Sequence, residues 1–285
     1  MNMNIYEDIT NLVITKLESG TVPWEKGWAE AGQPTNYVSK KTYHGINTLL
    51  LSMQGYTSKY WLTFNQVVSL KGQVKAGSKS TPIVYFDFIE SKTEKYTDRN
   101  GIEKAKVIPM IKKYSVFNVA QTTLKIAEEV KTDKKLNPIM EAEQLIHAYS
   151  TSLPIYEKEQ RAYYHPLADY INMPKMHTFI NSEYYYSVLF HELTHSTGHA
   201  KRLNREEVTK TASFGSHLYS KEELVAEMGA CFLNSFAGIT AQTIDNSTAY
   251  IQSWIKALKN DKRLLVTAGT QAQKAVEYIT SYQGK

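Results

Sequence analysis

The spacing of apolar and polar residues predicts an α+β first half. Apolar residues recur every three or four positions over 5–17, which predicts an amphipathic helix, and 47–53 predicts a short one. Residues 63–66 form a capping box that begins another helix. The stretch 83–89, rich in β-branched and aromatic residues, predicts a strand, and the Asn-Gly pair at 100–101 favours a hairpin.

Beyond a polar segment the pattern becomes mainly helical. Residues 132–138 carry a proline and no apolar periodicity, so we expect a linker there between a domain of residues 1–131 and a domain of residues 139–285. A small β-sheet is expected from a hairpin around 161–174. The pattern predicts helices at 139–150, 183–197 and 221–236, with a final pair starting near 249 and 267.

The sequence His191-Glu192-Leu193-Thr194-His195 lies within one of these predicted helices. Two histidines four residues apart share one helix face and can present ring nitrogens to a single metal ion. Glu192 stands beside the first histidine, where zinc hydrolases place a general base that acts on water. The pattern therefore predicts a zincin-type hydrolase with one Zn²⁺ per chain, and Mn²⁺ or another divalent metal is the alternative.

A zincin needs a third protein ligand. The metzincin pattern fails because its third histidine would fall on Lys201. Glu223 and Glu227 are better candidates, since they lie one turn apart on one helix. Glu223 as ligand with Glu227 orienting a histidine follows the gluzincin arrangement, and Glu227 as ligand is the alternative. Ser220 and Glu223 also fit a capping box, which would occupy Glu223 with the backbone.

Two further residues near these glutamates are candidates for catalysis. His217 and Tyr219 precede them and are possible stabilisers of an oxyanion, although single residues of either type are more often structural. The hairpin at 161–174 is expected to border the metal cleft, because zincins place there an edge strand to which peptides add as a further strand.

Composition favours a globular protein of the cytoplasm. The 285 residues are 42% hydrophobic and 21% charged, and no apolar stretch is long enough to span a bilayer. The first residues lack the basic and apolar regions of a secretory signal. One cysteine excludes an intramolecular disulfide and fits a reducing compartment. We therefore expect a cytoplasmic protein without a membrane partner.

The positive charge is concentrated in the first half. Residues 1–131 contain 17 Lys and Arg against 12 Asp and Glu, whereas residues 132–285 contain 16 of each. No acidic residue occurs between Ala31 and Phe86. A region of this kind attracts polyanions. The lysines in it are Lys40, Lys41, Lys59, Lys71, Lys75 and Lys79.

Taken in order, the motifs of both halves resemble the ArdC family of antirestriction proteins, carried by plasmids and other mobile elements. The resemblance covers roughly residues 5–240. In the first half it rests on Gly20-x-x-Pro23-Trp24, Tyr43-x-Gly45-Ile46-Asn47, Trp61-x-Thr63-Phe64-x-Gln66 and Val116-Phe117-Asn118-x-x-Gln121. In the second half it rests on His191 to His199, Arg202-Leu203-x-Arg205 and Glu222-Glu223-Leu224-Val225-Ala226-Glu227.

The resemblance implies an N-terminal domain that binds single-stranded DNA, with weaker binding of double-stranded DNA, and a C-terminal metallopeptidase fold. It also implies a bacterial protein, encoded on a plasmid, phage or integrative element, that shields incoming DNA from host restriction. The lysines are compatible with this because they would neutralise phosphates. Tyr43 and Trp61 are candidates for stacking on bases, although core packing is the competing explanation for such aromatics.

Three functions remain open from the sequence. The first is a DNA-binding metallopeptidase that cleaves an unknown protein substrate. The second is a DNA-binding shield whose zinc is structural or vestigial, which Glu192 disfavours because a structural site needs no general base. The third is a protease acting on proteins bound or cross-linked to DNA. Proteases of that third class usually take all their ligands from histidines, which disfavours it here.

Overall fold

The computed structural model describes residues 3–23, 32–97, 103–125, 138–150, 153–209, 217–239 and 248–281. Within these ranges the chain forms two small sheets and a larger set of helices, which confirms the expected α+β class. The predicted turn at 100–101 and nearly all of the predicted linker lie outside the described residues. Among the described helices, none is both long and apolar enough to cross a lipid bilayer.

The first half is built on a four-stranded sheet. Its helices α1, α2 and α3 span Met3–Glu18, Ile46–Ser52 and Phe64–Ser69. Its strands β1, β2, β3 and β4 span Thr35–Asn36, Tyr60–Thr63, Thr81–Thr97 and Glu103–Asn118 and lie in the order β1-β2-β4-β3. The predicted capping box is confirmed, because the side chains of Thr63 and Gln66 each accept a hydrogen bond from the other's backbone N–H.

The hairpin of β3 and β4 extends far beyond the rest of the sheet. β2 pairs with only three residues at the end of β4, whereas β3 and β4 are paired along most of their length. The strand expected at 83–89 is therefore longer, because an antiparallel partner satisfies its backbone over most of the ribbon. Val84 and Ile111, on one face of the ribbon, are buried in the main core.

The second half consists of helices around a three-stranded sheet. Helices α4 to α9 span Pro138–Ser150, Ser182–Thr197, Glu206–Thr209, His217–Ala237, Thr248–Asn260 and Leu264–Thr280. Strands β5, β6 and β7 span Ile155–Tyr156, Tyr163–His165 and Tyr170–Asn172 in the order β5-β7-β6. The predicted hairpin is confirmed as the antiparallel pair β6–β7. The two residues of β5, too few to show a periodicity, were not expected as a strand.

The two halves share one hydrophobic core. Ile5, Ile9 and Val13 of α1 are buried in the same cluster as Trp254 and Leu258 of α8, and the two helices contact each other. Burial of apolar side chains is the main source of folding free energy. Helix α1 of the first half is therefore held in place by contacts with the second half.

Gly269 makes a second attachment between the halves. A Cβ atom at this position of α9 would lie 3.0 Å from the backbone nitrogen of Ile46, so a larger residue would push α9 away from the start of α2. One turn further along α9, Gln273 accepts a hydrogen bond of 3.2 Å from the backbone of Gly45.

Candidate metal centre

Helix α5 carries both histidines of the predicted metal site on its buried side. Asn181 caps the helix, because its side-chain oxygen accepts a hydrogen bond of 2.8 Å from the backbone of Tyr184. His191 and His195 follow three turns later, with ring centroids 4.7 Å apart. The helix ends at Thr197, and Gly198 follows it directly.

Helix α7 approaches α5 closely at Gly229. A Cβ atom there would lie 2.4 Å from the side chain of Thr194, so only glycine permits this separation of the two helices. The crossing places the first turns of α7, with Glu223 and Glu227, beside the two histidines. Each helix thus carries its own candidate ligands. The close contact between Gly229 of α7 and Thr194 of α5 brings the glutamates and the histidines together.

Three side chains converge as a metal site requires. The Nε2 atoms of His191 and His195 are 3.0 Å apart. The Nε2 atom of His191 lies 3.5 Å from Oε2 of Glu223, and that of His195 lies 3.7 Å from Oε1 of the same carboxylate. Tetrahedral ligands at about 2.1 Å from a zinc ion lie about 3.4 Å from one another. Among the described residues, this is the group whose candidate ligand atoms lie within 4.8 Å of one another. The donor set and its spacing fit one divalent ion.

The interpretation of Ser220 and Glu223 as a capping box is wrong. Helix α7 begins at His217, so Ser220 lies inside the helix and its hydroxyl bonds to that of Ser253 at 2.9 Å. A helix interior already satisfies the backbone groups that a capping box would occupy. The carboxylate of Glu223 is consequently directed at the histidines.

Glu227 lies on the other side of the His191 ring. Its Oε1 is 3.5 Å from Nδ1 of His191, the nitrogen that faces away from His195 and Glu223. That Nδ1 atom is buried and has no hydrogen bond from the described residues. A carboxylate at this nitrogen fixes the ring's orientation and tautomer when Nε2 binds a metal. The geometry therefore favours Glu223 over Glu227 as the third ligand.

The histidines and carboxylates of this cluster change one another's pKa values. Burial lowers the pKa of His191, but the hydrogen bond to Glu223 and the charges of Glu227 and Glu192 outweigh it and raise that pKa to about 10. Burial raises the pKa of Glu223, but the bond to His191 and the charge of His195 outweigh it and hold that pKa at about 2. The His191 and Glu223 side chains therefore stabilise each other's charged forms, imidazolium and carboxylate.

The structure adds two residues that local spacing did not single out. Oε1 of Glu222 lies 3.0 Å from Nδ1 of His195, the nitrogen opposite the ligand atom. Arg205 binds both oxygens of Glu222, at 2.6 and 2.9 Å, and also donates to the backbone oxygen of Thr194 at 2.8 Å. Burial raises the pKa of Glu222, but the bonds from His195 and Arg205 outweigh it and keep that pKa low. Each of the two candidate ligand histidines thus has a carboxylate oxygen within 3.5 Å of its Nδ1 atom.

Arg205→Lys is expected to lower the affinity for divalent metal by about 10–100-fold, as changes behind a ligand histidine do. A lysine keeps the charge but cannot bind both oxygens of Glu222, so His195 loses its fixed orientation. Metal affinity is measured by calorimetry on the folded protein, with Arg161→Lys on the exposed surface as the matched control. Unchanged affinity in Arg205→Lys would show that Glu222 does not orient His195.

The predicted general base and one of the two predicted oxyanion stabilisers lie close to the candidate ligands. Glu192 is buried, and its charge acts on His191. The hydroxyl of Tyr219 hydrogen-bonds to Glu223 and helps to keep that carboxylate ionised. Tyr219 is therefore at the site, bound to a ligand. His217 is the first residue of α7, and its side chain lies outside the described part of the structure.

The β6–β7 hairpin is attached to the end of the histidine helix by Arg202. The guanidinium of Arg202 donates to the Ser196 backbone at 2.7 Å, to Asp169 at 3.1 Å and to the Tyr164 hydroxyl at 3.1 Å. Burial raises the pKa of Asp169, but the bonds from Arg202 and Tyr164 outweigh it and lower that pKa. This anchor fixes the three-stranded sheet against the end of α5. That an edge strand of this sheet borders the metal cleft stays a prediction.

The predicted DNA-binding lysines are solvent-accessible in the structure. Lys40, Lys41, Lys71, Lys75 and Lys79 are exposed, and Lys59 is half-buried. The ammonium group of Lys40 lies 4.0 Å from the centre of the Tyr37 ring and 5.0 Å from the centre of the Tyr60 ring. An ammonium held on ring faces remains available to an anion.

The two aromatic residues predicted to stack on bases are largely buried. Trp61 is 2% exposed and packs with Leu51 and Val116, so its assignment as a stacking residue is wrong. Tyr43 is half-buried against the same small core, and its hydroxyl accepts a hydrogen bond of 3.2 Å from Asn36. Both residues hold the first half together instead of forming an exposed stacking surface.

Comparison with known proteins places the two halves in one family. Residues 140–271 match a zincin-like metallopeptidase family (MPTase-PolyVal), and residues 3–117 match the N-terminal domain of the anti-restriction factor ArdC. Crystal structures of the antirestriction ArdC protein from the R388 plasmid, metal-free and Mn(II)-bound, are 34% identical to this chain with TM-scores of 0.75 and 0.76. They align over 98% of this chain and over 99% and 98% of theirs. This chain belongs to the ArdC family.

Other relatives of this ArdC-family chain are longer or uncharacterized. Two DNA primase TraC proteins of Escherichia coli are 32% and 31% identical to it over 98% of its length. The chain spans only 27% and 20% of these TraC proteins. An uncharacterized protein of Sinorhizobium fredii is 28% identical over 98% of this chain and 92% of its own length. The ArdC-like unit thus occurs both alone and within larger proteins.

Proposed function

We propose that this chain binds single-stranded DNA of an incoming mobile element, protects it from host restriction in the bacterial cytoplasm, and carries a metallopeptidase site. The observation that carries the proposal is the likeness to the plasmid-borne antirestriction protein ArdC along nearly the whole of both chains. Double-stranded DNA is the weaker partner in this proposal. The protein substrate of the peptidase site is a separate partner.

The charge distribution supports assigning DNA binding to the first half. We propose residues 1–131 as the DNA-binding unit, 132–138 as the linker and 139–285 as the peptidase-like unit. The six lysines of the acid-free region are at least partly exposed and supply a term independent of base sequence, because each phosphate contact releases counterions. The second half has no net charge to contribute.

For the peptidase site, we propose His191, His195 and Glu223 as the ligands of one Zn²⁺, or of Mn²⁺ as in the ArdC relative. A divalent ion held by them would polarise a carbonyl and lower the pKa of water. Glu192 is the proposed general base, since it is buried beside the ligand set without belonging to it. Tyr219 positions Glu223 through its hydroxyl and is the nearest candidate to assist an oxyanion.

The test of DNA binding combines charge removal with a salt titration. A variant with Lys71, Lys75 and Lys79 changed to Gln is expected to bind single-stranded oligonucleotides more weakly and with a shallower salt dependence. The slope of log affinity against log salt should fall by up to about 0.7 for each lysine that contacts a phosphate. The matched control changes three exposed lysines of the second half to Gln, namely Lys175, Lys201 and Lys256.

The affinities of the wild type and of the control variant test the assignment of DNA binding to the first half. The control should bind like the wild type, and the wild type should prefer single-stranded over double-stranded oligomers. In parallel, uptake of an unmodified plasmid by restricting cells measures protection, which should fall with DNA affinity. Equal loss of affinity in the control variant would contradict the assignment of DNA binding to the first half.

A further inference from the structure

The solvent face of the β3–β4 ribbon carries two exposed tyrosines. Ile83 stands opposite Tyr114 and Tyr85 opposite Lys112 in the antiparallel register, so these four residues share one face. Tyr85 is 53% exposed and Tyr114 is 45% exposed, and their ring centroids are 6.4 Å apart in an edge-to-face arrangement. Tyrosine is of intermediate burial in folded proteins, so the informative feature is that two exposed rings lie beside each other.

The same face is covered only at its base. Val116 and Ile83 lie under the small core formed with Trp61, whereas Tyr85 and Tyr114 continue the face beyond that core. The opposite face of the ribbon packs into the main core, so the two rings cannot turn inward without breaking that packing. They are therefore presented on a rigid, two-stranded support.

Phe64, at the start of α3, is a further exposed aromatic residue of the first half. It follows Thr63, which pairs with Val116 of β4, and α3 contacts β4. Phe64 is 55% exposed, the highest value for an aromatic side chain among the described residues. We refer to Tyr85, Tyr114 and Lys112, which share one face of the ribbon, as the ribbon surface.

The charges around the ribbon surface suit a polyanion. Lys112 is exposed directly across the ladder from Tyr85, and no acidic residue occurs in the chain from Ala31 to Phe86. Asp87, two residues after Tyr85, is the first acidic residue after this stretch. Exposed rings beside lysines provide the two terms that hold unpaired nucleic acid, base stacking and phosphate neutralisation.

We propose that the ribbon surface is where the bases of single-stranded DNA stack. The inference rests on the proposed function, and it places base stacking at the ribbon surface instead of at the half-buried Tyr43 and the buried Trp61. Unpaired bases have free faces for these rings, whereas the stacked bases of a duplex do not. The preference for single strands thus follows from exposed aromatics on a support that is already ordered.

The test compares two oligomers with the same phosphates. The full-length protein is titrated with an oligothymidylate and with an abasic oligomer of equal length. Tyr85→Ala and Tyr114→Ala are each expected to weaken oligothymidylate binding by about 5–150-fold, the range for losing one stacked base, and to leave abasic binding unchanged. Tyr85→Phe and Tyr114→Phe keep the ring and should bind like the wild type. Tyr156→Ala, a half-exposed tyrosine of the second half, is the matched control.

Each result has one meaning. Lys112→Gln should weaken both oligomers equally and reduce the salt slope by about 0.7. Equal losses on both oligomers in the tyrosine variants, or no loss on either, would overturn the stacking proposal. A change in the oligomeric state of Tyr114→Ala would overturn it too, because a second copy would then cover the face. A wild type that binds neither oligomer would instead refute the proposed function.

Discussion

Replacing Glu192 with alanine is expected to abolish peptide hydrolysis while leaving metal binding, DNA binding and DNA protection intact. Removing a general base costs about 10²–10⁴-fold in rate. Glu192 is not among the three converging ligands, so the metal group stays complete. Hydrolysis is measured on a casein-type unfolded protein with the metal-loaded enzyme, and protection by uptake of an unmodified plasmid into restricting cells.

Protection and hydrolysis should separate in this variant because the proposed function assigns them to different halves of the chain. Coating DNA requires charge and accessible rings, whereas hydrolysis requires a base beside the ligand set. Glu183→Ala, at the opposite end of the same helix, is the matched control. If Glu192→Ala lost protection at unchanged DNA affinity, protection would run through cleavage of a protein. A wild type that leaves the unfolded protein intact would contradict the peptidase part of the proposal.

Glu223→Gln is expected to lower divalent metal affinity by more than about 100-fold, beyond the range for residues that only orient a ligand. A neutral carboxamide is a poor ligand for zinc, and the two imidazoles alone leave the site incomplete. His191→Ala should have a similar effect. Metal content is measured after equilibrium dialysis against Zn²⁺ and, separately, Mn²⁺.

Glu227→Gln is the matched comparison for Glu223→Gln, since it makes the same change one turn away. It should cost only about 10–100-fold, because Glu227 faces the Nδ1 atom of His191 and not the ligand atoms. The reverse order, with Glu227→Gln losing the metal and Glu223→Gln retaining it, would mean that the first turns of α7 bind metal in a different orientation.

The sequence was informative about the site where chemistry depends on helical spacing. His191, Glu192 and His195 are fixed relative to one another by a single helix, and Glu223 and Glu227 by another, so their grouping was predictable. Glu222 was not predicted because its role depends on Arg205, which reaches it from a segment between helices. Such a bond appears only when α5 and α7 are packed together.

The exposed aromatic residues were harder to predict, although the sequence contains a signal. Trp61 lies in the continuous apolar run Tyr60-Trp61-Leu62, a pattern typical of a strand buried on both faces. Tyr114 follows two lysines and precedes a serine, which is typical of an accessible strand. Neither pattern shows how far the ribbon extends past the rest of the sheet, and that extension is what leaves Tyr85 and Tyr114 uncovered.

The location of the bound metal is the most direct test of the central claim that His191, His195 and Glu223 form one metal site. Crystals grown with Zn²⁺ or Mn²⁺ are measured at the absorption edge of the metal, and the anomalous map locates the ion. We predict one peak per chain, within about 2.0–2.2 Å of both Nε2 atoms and of a Glu223 oxygen. A peak bonded to Glu227 in place of Glu223, or no peak at these residues in a metal-loaded crystal, would contradict the account.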